Sequence, residues 1–278
     1  MANALFGFDN LIDRPGTVLT AGSQRSNLPV SNLADPDPQR PWVTLGTTKD
    51  WAHADFGTPQ SLRLLGLFGA LCTPAARVRW RLGSTPLVGE TPGIVADVLD
   101  TGWVSAGVAA GYWSTLWILT AAVSARSLRV DVDDPDRATT TVNGQAPGDL
   151  ITGRLWASNV IQPLRNFSYP LNDKSIDSAA KQRGRRSGAV SVDPGPKYRE
   201  VSFGYEALSE VEGRGTFKEF LRKVGITDQI VFVPDPGGAY QATEAMLGRR
   251  TENSPVTRAN FAMWSNALTI EEDPALGA

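Results

Sequence analysis

The segment Leu28-Pro-Val-Ser-Asn-Leu-Ala-Asp-Pro-Asp-Pro-Gln-Arg-Pro-Trp42 carries four prolines within fifteen residues. Each fixes φ and removes a backbone donor, so most of the stretch is neither the inside of a helix nor a central strand. It has to be a loop. Nine residues on, Trp51-Ala-His-Ala-Asp-Phe-Gly57 opens a run of apolar residues continued by Leu62, Leu64, Leu65, Leu67 and Phe68. A committed loop therefore runs straight into a core, as at the start of a β-sandwich.

From about residue 50 to 160, short apolar runs alternate with clusters of Gly, Pro, Asp and Asn, the pattern of sandwiches and barrels. Strands are expected at residues 51–56, 61–70, 76–82, 95–99, 113–120, 127–132 and 153–160. The 27 glycines and 19 prolines favour turns over long helices. A length of 278 residues exceeds one typical domain, so two are expected, meeting at residues 162 and 163.

In Ala76-Arg-Val-Arg-Trp-Arg-Leu82 the alternation is strict, which puts Val78, Trp80 and Leu82 inward and Arg77, Arg79 and Arg81 outward. Such a face either stays solvated and discourages edge pairing or meets an anionic sugar or phosphate. Trp80, Trp117 and Trp156 lie within strand patterns and belong in a core. Trp42, Trp103 and Trp113 border loops and are the candidates for a binding rim, where an indole stacks on sugar.

The second part differs. Residues 172–188 are polar and read as a long exposed loop. Its basic cluster, Lys181, Arg183, Arg185 and Arg186, is either simply solvated or aimed at nucleic acid or an acidic partner surface. Val201, Phe203 and Tyr205 alternate along a strand. Phe217, Phe220, Leu221 and Val224 then fall near helical spacing before Gly225, predicting one helix over 216–224. Gln229-Ile-Val-Phe-Val-Pro-Asp-Pro236 is a continuous apolar strand stopped by a turn, and residues 242–249 and 257–270 supply two more. The fold expected is mainly β: a jelly-roll sandwich over 1–162, then a smaller α+β antiparallel-sheet domain with one helix over 163–278.

Little of this sequence points to catalysis. His53 and Cys72 are the only residues of their kinds, which leaves no internal disulfide and no multi-cysteine zinc site. His53 is expected on the polar face of a half-buried strand, and Cys72 as a small buried apolar residue. Asp131, Asp133, Asp134 and Asp136 offer oxygens to calcium, but their spacing lacks the glycine and terminal glutamate of an EF-hand loop. No metal and no cofactor are expected. The phosphate-binding glycine loops and the Gly-x-Ser-x-Gly elbow are absent from the sequence, so a binding or structural role is expected instead of an enzyme. Polysaccharide hydrolysis by a carboxylate pair stays open as a weaker alternative. Net charge of −2 gives no global pull toward nucleic acid or anionic membrane. No apolar run spans a bilayer, and Asp9 interrupts an N-terminus without a basic region, so synthesis and retention in the cytoplasm are expected.

Residues 29–42, Trp51 with Asp55-Phe-Gly57, Asp100-Thr-Gly-Trp103 and Ser127-Leu-Arg-Val-Asp131 together resemble galactose-binding-like, discoidin-type jelly rolls of tailed-bacteriophage virion proteins. The later landmarks resemble the ring-forming modules of phage tail-tip and distal tail proteins: Phe167, Thr216-Phe-Lys-Glu-Phe-Leu-Arg222, Ile230-Val-Phe-Val-Pro-Asp-Pro236 and Phe261-Ala-Met-Trp264. That resemblance implies a structural virion component, a homo-oligomeric trimeric or hexameric ring joining the tail tube to the host-attachment apparatus and assembled in the host cytoplasm. Tail tube, tape-measure and baseplate hub proteins would be its partners, with Lys181, Arg183, Arg185 and Arg186 as a contact to a subunit or the tape protein. The two modules stand in the reverse of the order common in distal tail proteins. The alternative is a carbohydrate-binding module that recognises host surface polysaccharide through Trp42, Arg79, Arg81 and Trp103.

Overall fold

The computed structural model describes residues 3–87, 96–108, 113–183, 190–258 and 263–274. Its first eleven strands are β1 (Leu5–Gly7), β2 (Val18–Ala21), β3 (Trp42–Val43), β4 (Lys49–Phe68), β5 (Arg77–Gly83), β6 (Leu99–Asp100), β7 (Val104–Ser105), β8 (Ser114–Asp133), β9 (Ile151–Thr152), β10 (Arg154–Ser158) and β11 (Val160–Ile161). The others are β12 (Ser168–Asp177), β13 (Ala180–Arg183), β14 (Val190–Asp193), β15 (Lys197–Leu208), β16 (Ile230–Val233), β17 (Met246–Arg250), β18 (Thr257–Arg258) and β19 (Trp264–Glu272). The protein is mainly β, with antiparallel pairing throughout its two large sheets.

The first sheet runs β10-β4-β8-β5-β6, with β2 added to β4 and β7 to β5. The strands expected at 51–56 and 61–70 are one strand, β4, bent where the ladder shifts register between Asp55 and Gln60. Gly57 sits in that bend with φ of 74°, a conformation that favours glycine. The strands expected at 113–120 and 127–132 likewise merge into the single strand β8, which begins at Ser114. The bend lets one sheet fold over its own core. Ala52 and Ala54 from one half of β4, and Leu62, Leu65 and Leu67 from the other, share a cluster with Val78, Trp80, Leu82, Leu128 and Val130.

The proline-rich loop is seated on that core. A short 3₁₀ turn at Val30–Ala34 buries Leu33, and Trp42 is only 1% exposed with its indole N–H donating to Ser23 O at 3.0 Å. Trp42 is therefore a core residue and no part of a binding rim, buried in one cluster with Val30 and Leu33 of the loop.

The second sheet has the order β11-β1-β16-β17-β19-β15-β12, with β18 on β19. A cut at residue 162 does not separate the two sheets, since β1 and β11 both lie in the second. β16 explains its own uninterrupted apolar sequence: Ile230 and Phe232 face one cluster, while Val231 and Val233 face another. A strand buried on both sides has no polar face to alternate. Against the first face packs a helical segment that begins as a wide π turn at Glu212–Phe217, continues as α1 (Lys218–Val224) and stops at Gly225. Against the second face packs the sandwich, through Leu64, Phe68 and Trp156.

Two local expectations change. Residues 242–249 begin with the short helix α2 (Gln241–Glu244) before entering β17, and residues 172–188, read as a loop, hold the end of β12 and the whole of β13, which pairs with β14 as a two-stranded ribbon. Both faces of its outer end are solvent-exposed, so its side chains need no alternation and give no periodic signal. Among the described residues, no helix is long and apolar enough to cross a membrane.

Candidate functional site

Three central strands bring the outward-pointing residues of the first sheet into cross-strand rows. Lys49 pairs with Asp133 and Asp133 with Arg77; Trp51 with Asp131 and Asp131 with Arg79; His53 with Arg129 and Arg129 with Arg81. Directly opposed residues share a face, so nine side chains tile one surface. The alternation Arg77-x-Arg79-x-Arg81 on β5 meets Arg129-x-Asp131-x-Asp133 on β8, and most of the cations find carboxylates across the ladder.

The surface is graded from buried to open. In the bottom row Arg81 is 8% exposed and chelates Asp131 through Nε at 2.9 Å and Nη2 at 2.6 Å. Arg129 donates to the same carboxylate at 3.0 Å and lies 4.2 Å over the Trp51 ring. The chain at Leu87 covers this end, its N–H donating to His53 Nε2 at 3.1 Å and its carbonyl accepting from Arg129 at 3.3 Å. Arg81 is thus a nearly buried member of an ion pair with Asp131 and does not lie on the open surface.

His53 lies on this polar face, opposite Arg129, but the chain at Leu87 covers it and leaves it 1% exposed. Its Nε2 accepts from Leu87, which leaves Nδ1 as the protonated nitrogen facing Thr20 Oγ1 at 3.2 Å. Burial, the largest cause, and the nearby Arg129 pull its pKa down from 6.5 to about 4. Between those values the unfolded chain binds a proton that the folded chain refuses. Stability contributed by neutral His53 is therefore full above pH 6.5 and falls as pH drops toward 4, by about 3 kcal/mol in all. The stability gap between wild type and His53→Gln, measured by urea unfolding at pH 7 and pH 4, should shift against the wild type by that amount on acidification. A gap independent of pH would rule out a buried neutral imidazole.

Toward the open end, Arg79 donates through Nε to Asp100 at 2.8 Å, and its guanidinium holds the Asp100 carboxyl below the ordinary carboxylate range. Asp133 accepts from Arg77 at 2.7 Å and has Lys49 Nζ at 3.7 Å. Trp103 stands beside this top row, 37% exposed, with Lys49 Nζ 5.4 Å and the Arg77 guanidinium 5.8 Å from its ring centroid. An indole face, two exposed cations and one carboxylate acceptor are gathered here. They can stack a flat apolar ring face and hydrogen-bond the hydroxyls or acidic groups at its edge.

Of the four sugar-binding candidates, Trp103 and Arg79 lie on the open surface, while Trp42 and Arg81 do not. Lys49 and Asp133 join the site only in three dimensions. Three of the four aspartates read as possible calcium donors hold cations or backbone instead: Asp131 and Asp133 bind arginines, and Asp134 accepts from the Thr73 N–H at 2.7 Å. Among the described residues no group of three or more His, Cys, Asp or Glu is placed to hold a metal ion. Cys72 is buried, and burial pushes its thiol up to about 12, where it stays protonated and inert. Lys181 and Arg183 stand exposed on β13, far along the chain from Trp103; Arg185 and Arg186 lie outside the described residues.

No family model and no curated protein matches the chain. Among solved structures it is similar to a protein described as CpGH89CBM32-6 produced by Clostridium perfringens, at 12% identity and a TM-score of 0.35 over 54% of this chain and 98% of that one. It is also similar to a fucose binding module of Streptococcus pneumoniae, at 8% identity and 0.37 over 54% and 98%. A chitosan-binding module from Paenibacillus aligns at 17% identity and 0.36 over 55% and 99%.

Proposed function

We propose that the protein binds saccharide, with the sandwich presenting Trp103, Lys49, Arg77 and Asp133 as the recognition surface. The observation that supports this reading is the half-open Trp103 ring flanked by two cations that share Asp133. Arg77 and Lys49 keep donors free beyond that one carboxylate, which favours acidic sugars such as uronic acids over neutral ones. The role is binding; no reaction is proposed. A glycan array probed with the purified chain tests it, followed by titration of the best hit. Trp103→Ala is expected to weaken binding about tenfold, equivalent to about 1.4 kcal/mol, and added salt to weaken it further. Silence across the array, or a Trp103→Ala protein that binds as well as wild type, would sink the reading.

A second reading has its own support. The β13/β14 hairpin is exposed on both faces and β12 is an open sheet edge, features of a subunit that meets other copies. This favours the virion role implied by the tail-tip resemblance, in which the second sheet assembles and the sandwich faces outward. Electron microscopy of the purified protein tests it: rings support the reading, and single particles at high concentration count against it.

A further inference from the structure

Apart from the Trp103 surface, one hollow of the second sheet combines aromatic and acidic groups. It has a volume of about 370 Å³ and is lined by Phe167, Tyr169, Leu171, Asp173, Asp235 and Glu244 among others. Tyr169 is 85% exposed, with its ring 6.1 Å from that of Phe167. Of the three carboxylates, Asp173 lies 3.6 Å from Arg199, whereas neither Asp235 nor Glu244 forms an ion pair among the described residues. The hollow thus combines an aromatic and aliphatic lining with carboxylates that have no ion-pair partner among the described residues.

The β13/β14 hairpin has the opposite character. Lys181 pairs with Val192 and Arg183 with Val190, so these four residues project from one face of the two-stranded ribbon. Val190 and Val192 are 52% and 51% exposed, and all eight residues of the two strands are open to solvent. A two-stranded ribbon with nothing packed against it among the described residues is marginal in water, so a face of two valines and two cations calls for a partner surface. The basic sequence continues through Arg185 and Arg186.

We propose that this ribbon face docks into the acidic aromatic hollow of a second copy of the chain. Valines would cover Tyr169 and Phe167 while Lys181 and Arg183 reach Asp235 and Glu244. Self-docking is opposed by distance along the chain: Lys181 is eight residues beyond Asp173, past the end of β12, about 26 Å where the chain is extended. Because the ribbon and the hollow are different surfaces, the contact is heterologous, and repeated copies close into a ring where the rotation allows. The proposal rests on the reading of the chain as an assembly subunit.

Light scattering coupled to size exclusion, run over a concentration series of the full chain, tests it with two variants. Lys181→Glu with Arg183→Glu reverses the ribbon; Asp235→Asn with Glu244→Lys reverses the hollow while keeping the turn at 235 able to hydrogen-bond. Each is expected to raise the dissociation constant by roughly thirtyfold or more, and an equimolar mixture of the two to assemble again, because each then offers the surface the other lacks. Assembly that is indifferent to both reversals overturns the docking and leaves the assembly reading intact. Loss in both variants without recovery on mixing also overturns it. A wild-type chain that stays monomeric throughout the series overturns both.

Discussion

Replacing Arg137 with methionine is expected to cost about 3 to 5 kcal/mol and to lower the thermal midpoint by roughly 10 °C for a chain of this size. The side chain is fully buried in the segment that follows β8. Its Nε donates to Asp149 O at 3.1 Å, and its Nη1 donates to Thr140 O at 2.9 Å and Gln145 O at 3.1 Å. Around it stand backbone carbonyls, and among the carboxylates Asp134 attracts its charge most strongly. Methionine fills similar volume but donates nothing, so three carbonyls lose a donor and the buried Asp134 loses the favourable field of a nearby cation. Asp149 also accepts from Gly46 N at 2.7 Å and pairs with Arg25, so its displacement would reach the proline-rich loop. Differential scanning calorimetry reads the change. A midpoint within about 2 °C of wild type would correspond to under about 1 kcal/mol and would mean that solvent reaches these carbonyls in the native state.

What the sequence disclosed followed from local periodicity. Val78, Trp80 and Leu82 on one face of β5, Val201, Phe203 and Tyr205 on β15, and the helical spacing of Phe217, Phe220 and Val224 all lead to buried positions. What it hid depended on partners remote in sequence. The outward arginines of β5 were legible, but which were saturated was not, because Asp131 and Asp133 come from about fifty residues away and Asp100 from a separate short strand. Trp42 borders a loop, and nothing local shows that its ring is buried in one cluster with Val30 and Leu33 of that loop. β4 looked like two strands since the turn-forming Gly57 interrupts its pattern without ending its ladder. The hairpin was invisible for the opposite reason, as no face of it is buried.

β1 left the faintest trace of all, three residues of strand, and a large effect is expected from it. Phe6 is fully buried, with ring centroids of Phe203, Tyr205, Phe217, Phe220 and Phe232 at 6.1, 6.3, 6.2, 5.5 and 5.2 Å. Phe6→Ala removes the hub of that cluster and should cost about 3 to 5 kcal/mol. Leu5, its neighbour, points to the opposite face and packs with Leu64, Phe68 and Trp156 of the sandwich and Val231, Val233 and Leu247 of the second sheet. One short strand thus touches both cores, and the apolar seam beside it ties the unfolding of the two sheets together. Tryptophan fluorescence can read this, since seven of the eight tryptophans precede residue 163 and only Trp264 follows it. Damage at Phe6 belongs to the second sheet, yet the fluorescence midpoint in urea should fall together with the far-ultraviolet circular dichroism midpoint. If circular dichroism shifts while fluorescence stays at its wild-type midpoint, the sheets unfold separately and the seam does not couple them.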